Sequence, residues 1–99
     1  MFDLVLTHES DGQLKSLERQ PRFASEVKQI KKALGFLSTN PKHPSLRTHP
    51  YGSLEHPYRA GEKVFEAYAQ NNTPGAYRIF WCYGPQKGQI TILAIMPHP

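Results

Sequence analysis

Between Phe23 and Leu37, the apolar residues Phe23, Val27, Ile30, Leu34 and Leu37 recur at intervals of four, three, four and three. That spacing lays them along one stripe of a helix, the clearest helix in the chain. A stripe of this kind has to be buried against a second layer of structure. Lys28, Lys31 and Lys32 fall off the stripe and read as its solvated face.

The second layer is found further along. "KVFEAYAQ", "AYRIFWCYGP" and "QITILAIMPHP" are three strand-like runs, and "NNTPG" and "GPQKG" lie between them as hairpin connections should. Near the N-terminus, "FDLVLT" reads as a first strand. "SDGQLKSLERQP" reads as a short helix carrying Leu14 and Leu17, capped by Ser10 or Asp11 and interrupted by Pro21. Ser38 to Gly61 holds four prolines and three histidines with little periodicity, so it is expected to be mostly loop, with a short extended piece near "SLRTH". The expected fold is α+β over residues 1–99 as a single domain. Two helices from the N-terminal half pack on one face of a mainly antiparallel sheet of about four strands.

Arg78 stands out within "AYRIFWCYGP". In extended chain Tyr77, Ile79, Trp81 and Tyr83 share one face, while Arg78, Phe80 and Cys82 share the other. The first set suits packing against helices. Arg78 is then expected on a less covered face, beside the ring of Phe80.

Composition narrows the function classes only a little. Twelve Lys and Arg against eight Asp and Glu give a net charge of +4, compatible with a polyanion or an acidic partner. No apolar run approaches a membrane span and no export signal is read, so no membrane association and a cytoplasmic location are expected. Cys82 is the only cysteine, which excludes an internal disulfide and suits a reducing compartment. It sits mid-strand among aromatics, where a thiol is inert packing. The histidines lack the close pairs of a zinc site, so neither a metal nor any other cofactor is expected. His56 reads as a surface loop histidine.

What remains is a basic set containing imidazoles: Lys42, His43, Arg47 and His49 in the loop, Lys63 and Arg78 on strands, and His98 near the end. Cleaving RNA without metal needs a base for the 2′-hydroxyl, a cation for the charge on phosphorus and an acid for the leaving 5′-oxygen. Arginine suits the second task because its planar fork meets two phosphate oxygens and stays charged. Histidine suits either proton task near neutral pH. An aromatic such as Phe80 could stack an unpaired base.

The order strand, helix, helix, basic loop, three strands resembles the RelE/ParE superfamily of bacterial toxins from type II toxin–antitoxin pairs. "NPKHPSLRTH" is similar to that superfamily's Pro-containing segment after the second helix, with its "L-x-x-H" or "L-x-x-L" end. "YRIFW" resembles its "YR-aliphatic-aromatic" strand, and "ITILAIMPHP" its last strand with a terminal histidine. The resemblance implies a toxin held inactive by an acidic antitoxin in a hetero-oligomer. RelE-like members cleave mRNA in the ribosomal A site by attack of the 2′-hydroxyl, whereas ParE-like members poison DNA gyrase without a nuclease site. It implies that Arg78 contacts the scissile phosphate from an open, concave face and that His98 is a general acid. Lys42, His43, Arg47, His49, Lys63 and Phe80 are the candidate substrate-binding residues. The base is a Glu in one branch and a Lys in another, and both Glu66 and Lys63 are considered for it. The alternative is a non-catalytic binding protein on the same fold, gyrase-directed or bound only to its partner.

Overall fold

A computed structural model describes residues 1–71 and 73–98; Asn72, in the first expected hairpin connection, and Pro99 lie outside the described residues. Strand β1 (Asp3–Leu6) leads into helix α1 (His8–Glu18), and a short turn at Pro21–Phe23 precedes helix α2 (Ala24–Thr39). A second short turn at Pro44–Leu46 precedes β2 (His49–Pro50), followed by β3 (Phe65–Tyr68), β4 (Tyr77–Tyr83) and β5 (Gln89–Pro97). The sheet order is β1-β5-β4-β3-β2. Only β1 and β5 run parallel; the other neighbours are antiparallel. The fifth strand is the two-residue β2, at the end of the short extended piece expected near "SLRTH" and too short to leave a periodic signal. No described helix is long and apolar enough to cross a membrane.

The cap of α1 is Thr7, not Ser10 or Asp11. Its side-chain oxygen accepts from the Ser10 backbone N–H at 3.1 Å. Ser10 lies inside the helix, fully buried, and donates its hydroxyl to the Ile92 carbonyl at 2.7 Å. The helix therefore starts as soon as β1 ends, which ties α1 closely to β5.

The α2 stripe packs as its spacing requires. Ile30, Leu34 and Leu37 are buried in one cluster with Ile79, Trp81, Ile90, Ile92 and Ile95, and Phe23 and Val27 pack on its margin. Trp81 sits between Phe65 and Tyr83 at ring-centroid separations of 4.8 and 5.0 Å. Along β5 the inward residues are Ile90, Ile92 and Ile95, which breaks strict alternation. The cause is a bulge: Phe80 pairs with Ala94 but Trp81 pairs with Ile92, so Leu93 is an extra residue. Burying a side chain of this size stabilises by roughly 1.5–3 kcal/mol, and a carboxylate there adds the cost of a buried charge. Ile30→Asp is therefore expected to unfold or strongly destabilise the protein; a thermal melt superimposable on wild type would mean the face was misassigned.

The opposite sheet face is covered, contrary to the expectation of an open concave surface. Arg78, Phe80 and Cys82 are 8%, 0% and 0% exposed. Residues 51–64 form the cover. The Tyr51 ring lies 4.7 Å from that of Phe80, so Phe80 is a packing residue with no face free for a base. The Tyr58 hydroxyl meets the Thr91 hydroxyl at 3.0 Å.

His56 locks this cover, and its reading as a surface residue is overturned: its side chain is 1% exposed. Its Nε2 lies 2.8 Å from the Tyr83 carbonyl, which can only accept, so Nε2 carries the proton. Nδ1 is then the acceptor for the backbone N–H groups of Tyr58 and Arg59, at 3.2 and 3.0 Å. One neutral imidazole thus joins the segment to the end of β4 and shapes its turn.

Candidate functional site

An acidic residue lies at the centre of the basic set. β2 and β3 bring His49 opposite Glu66, and β3 and β4 bring Glu66 opposite Phe80 and Tyr68 opposite Arg78. Beyond β5 the ladder continues, with the His98 backbone N–H bonded to the Ala76 carbonyl at 3.0 Å. Four strands therefore bring His49, Glu66, Arg78 and His98 to one place.

The Glu66 side chain is 1% exposed, and each of its oxygens is engaged. Oε1 lies 2.8 Å from His49 Nε2 and Oε2 lies 2.6 Å from His98 Nδ1. Arg78 Nε is 3.7 Å from Oε2, an ion pair rather than a hydrogen bond. A buried carboxylate is tolerated only when its charge is matched and its lone pairs are used, and these three groups meet that need.

His49 is fixed at both ends. Its Nδ1 lies 3.0 Å from the Arg47 carbonyl, so Nδ1 must be the donor. A single proton then lies between His49 Nε2 and Glu66, and this pairing sets the plane of the carboxylate. Arg47 can turn its carbonyl this way because it adopts left-handed backbone, φ 47°. His98 uses only Nδ1 towards Glu66, and its side chain is 52% exposed.

Arg78 is also held. Its guanidinium carbon lies 3.7 Å from the centroid of the Tyr68 ring, and its Nη1 donates to the Gln70 and Tyr77 carbonyls at 2.9 and 3.3 Å. Stacking on an aromatic face and donation to fixed carbonyls leave the cation little freedom. Tyr68 is thus the platform for the site's cation.

The remaining sequence candidates are placed differently. His43 stacks on Phe36 at 3.9 Å, and its Nδ1 accepts from the Ser45 N–H at 3.1 Å. It caps the turn at Pro44–Leu46 and its ring is committed to that role. Lys42 is exposed beside it, with its backbone N–H bonded to the Asn40 side chain. Lys63 is exposed in the covering segment just before β3, not on a strand. The set that converges is Arg78, His98 and His49, with Arg47 supplying a carbonyl and Glu66 at the centre.

Cys82 lies on the same face but takes no part in this cluster. Burial pushes its thiol up from the ordinary 9.0 to about 11, opposed by Arg59 and reinforced by Glu62. Because the folded value is raised, the stability that this neutral thiol contributes is complete below pH 9 and is lost as pH climbs towards 11. Wild type is expected to lose stability over that window more steeply than Cys82→Ala. At pH 8 Cys82 is expected to resist alkylation until the protein is unfolded, and rapid labelling of the native chain would contradict the burial.

No protein-family model matches the chain, and no curated protein matches it in sequence. Solved structures do match. A YoeB/ParE toxin from Agrobacterium tumefaciens superposes with a TM-score of 0.71 at 15% identity, covering 100% of both chains. The YoeB dimer from Staphylococcus aureus gives 0.69 at 12% identity, over 99% of this chain and 98% of that one. An archaeal RelE–RelB complex from Pyrococcus horikoshii OT3 gives 0.64 at 15% identity, over 97% and 93%. The fold is that of the RelE/YoeB-like toxins: two helices on a five-stranded, mostly antiparallel sheet.

Proposed function

We propose that this chain is the toxin of a type II toxin–antitoxin pair and a metal-independent endoribonuclease acting on mRNA in the ribosomal A site. The observation that carries this reading is the buried Glu66 carboxylate, bonded to His49 and His98 with Arg78 beside it. A purely structural ion pair needs one cation. Here three cationic or imidazole groups surround one carboxylate, and two of the three are half exposed.

Each task of RNA cleavage falls to a residue of the cluster. Glu66 is the base: when the His98 ring turns away, Oε2 is free to accept the proton of the attacking 2′-hydroxyl. As the new O–P bond forms, Arg78 stabilises the charge on the phosphoryl oxygens. The P–O5′ bond breaks and protonated His98 delivers its proton to the departing oxygen. The products are a 2′,3′-cyclic phosphate and a 5′-hydroxyl. Glu66 now carries a proton that His98 lacks, and their 2.6 Å hydrogen bond returns it, resetting the site. His49 is a positioning residue that fixes the carboxylate plane.

The partner is an acidic antitoxin, matched to the net charge of +4. The deciding experiment is induced expression followed by mapping of mRNA 5′ ends. Cleavage within translated frames, dependent on Glu66 and His98, is the expected result. Growth arrest with intact mRNA and stalled gyrase would replace this reading with the gyrase-directed one.

A further inference from the structure

The covering segment 51–64 does more than close the sheet. Together with Pro50 it surrounds an open hollow of about 600 Å³, within the roughly 300–1,000 Å³ range usual for small-ligand sites. Tyr58 stands at this hollow 44% exposed, an unusual position for a large aromatic ring, and Tyr51 lies beside it. Arg59 and Lys63 bring positive charge to the lining, and Glu55 and Glu62 cancel it. A hollow with balanced charge does not select a phosphate. Its aromatic rings suit a flat, neutral one.

The hollow is rigidly built. His56 anchors the backbone at Tyr58 and Arg59, the Tyr58 hydroxyl is tied to Thr91, and Arg59 Nη2 donates to the Pro85 carbonyl at 3.0 Å. Gly84, at φ 117°, approaches the same two side chains; a Cβ there would lie 3.4 Å from both. A ring held in this way stacks a ligand without a further ordering cost.

Its position relative to the cluster has a direction. Tyr51 N–H bonds to the Val64 carbonyl at 2.8 Å, continuing the pairing of His49 with Glu66. Tyr51, the first aromatic of the hollow, therefore lies two strand residues beyond the carboxylate, roughly 6.7 Å along the strand. Arg78 pairs with Tyr68, two residues the other way, and shares Glu66 Oε2 with His98. Arg78 and the leaving-group end of the site at His98 thus lie on the far side of the carboxylate, and the hollow lies on the side left for the attacking nucleotide.

We propose that the hollow is a subsite for the base of the nucleotide whose 2′-hydroxyl attacks, and that it favours guanine. This rests on the nuclease reading above. Carboxylates accept hydrogen bonds only, and guanine presents the adjacent N1–H and N2–H donors that one carboxylate can take. Glu62 and Glu55 are the candidates for that contact, with the ring stacked on Tyr58.

The test has two arms. In the first, 3′-guanosine monophosphate and 3′-cytidine monophosphate are titrated into His98→Ala protein while amide shifts are followed. The guanine nucleotide is expected to perturb Tyr51, Tyr58 and Lys63 and to bind more tightly than the cytosine one. Tyr58→Ala is expected to weaken it roughly 5- to 150-fold, the usual loss for one base–aromatic stack, and Tyr58→Phe to retain it. In the second, mapped cuts are expected to be enriched for guanine on the 5′ side of the scissile bond, with Glu62→Gln relaxing that preference. Equal binding of both nucleotides, shifts confined elsewhere, or cutting with no preference altered by Tyr58→Ala would overturn the subsite and leave the nuclease standing. Selective guanine binding at Tyr58 without mRNA cleavage would uphold the base site and remove the nuclease reading.

Discussion

Arg78→Ala is expected to lower cleavage by about 10²–10³-fold, the usual consequence of losing one donor that stabilises transition-state charge. The loss follows from how the guanidinium is committed. Nη1 serves the Gln70 and Tyr77 carbonyls and Nε faces Glu66, so the side chain is held rigidly before substrate arrives. Its alanine variant also removes the donor to the Gln70 carbonyl and the cation beside the buried Glu66, whereas the Tyr77 carbonyl keeps the Ala69 and Gln70 N–H groups, so melting must be measured beside activity. Arg78→Lys separates the two effects. An ammonium restores charge near Glu66 and recovers stability in part, yet it lacks the planar fork and recovers little rate. A fully toxic Arg78→Ala with an unchanged cleavage pattern would place the chemistry elsewhere.

Glu66→Gln is expected to cost about 10²–10⁴-fold in rate, the range for a lost general base. The isosteric amide keeps the packing but takes no proton from a 2′-hydroxyl. Glu66→Ala adds a second penalty, because it leaves Arg78 buried without its carboxylate, worth about 3–5 kcal/mol when one partner of a buried pair is removed. A substrate with sulfur in place of the bridging 5′-oxygen tells acid from base. Its leaving group departs without protonation, so it is expected to rescue His98→Ala and not Glu66→Gln. Rescue of both, or of neither, would reverse or dissolve the assignment.

The α2 stripe and the parity of β4 were legible because each follows from a periodicity that burial enforces over several turns or residues. The face bearing Arg78 was misjudged for a related reason. Its cover is an irregular segment that holds on through single contacts, such as His56 to the Tyr83 carbonyl, and these leave no repeating pattern. Glu66 enters the sequence analysis only through the family resemblance, yet its strand carries a signal of its own. It sits two positions from Tyr68 within an apolar strand, the same anomaly as Arg78 in β4, and two opposite charges in neighbouring strands of one sheet invite pairing. His43 and His49 could not be told apart in sequence. Both lie in Pro-rich loop, and only the fold puts one against Phe36 and the other against Glu66.

Strand β5 lies between β1 and β4. Every ribosome making this protein therefore holds, until residue 97 has been added, a chain whose sheet lacks its middle. β1 has no neighbour and β4 has one open side until then, so pairing across the whole length of the chain must come last, and such long-range pairing is slow. His98 reaches Glu66 only after that step. Synthesis itself thus imposes a delay between the first codon and the first complete sheet, and a frameshift or stop within β5 removes both the keystone of the sheet and His98. Under the toxin reading proposed above, such a product is expected to be harmless to the cell, with strand edges that favour clumping.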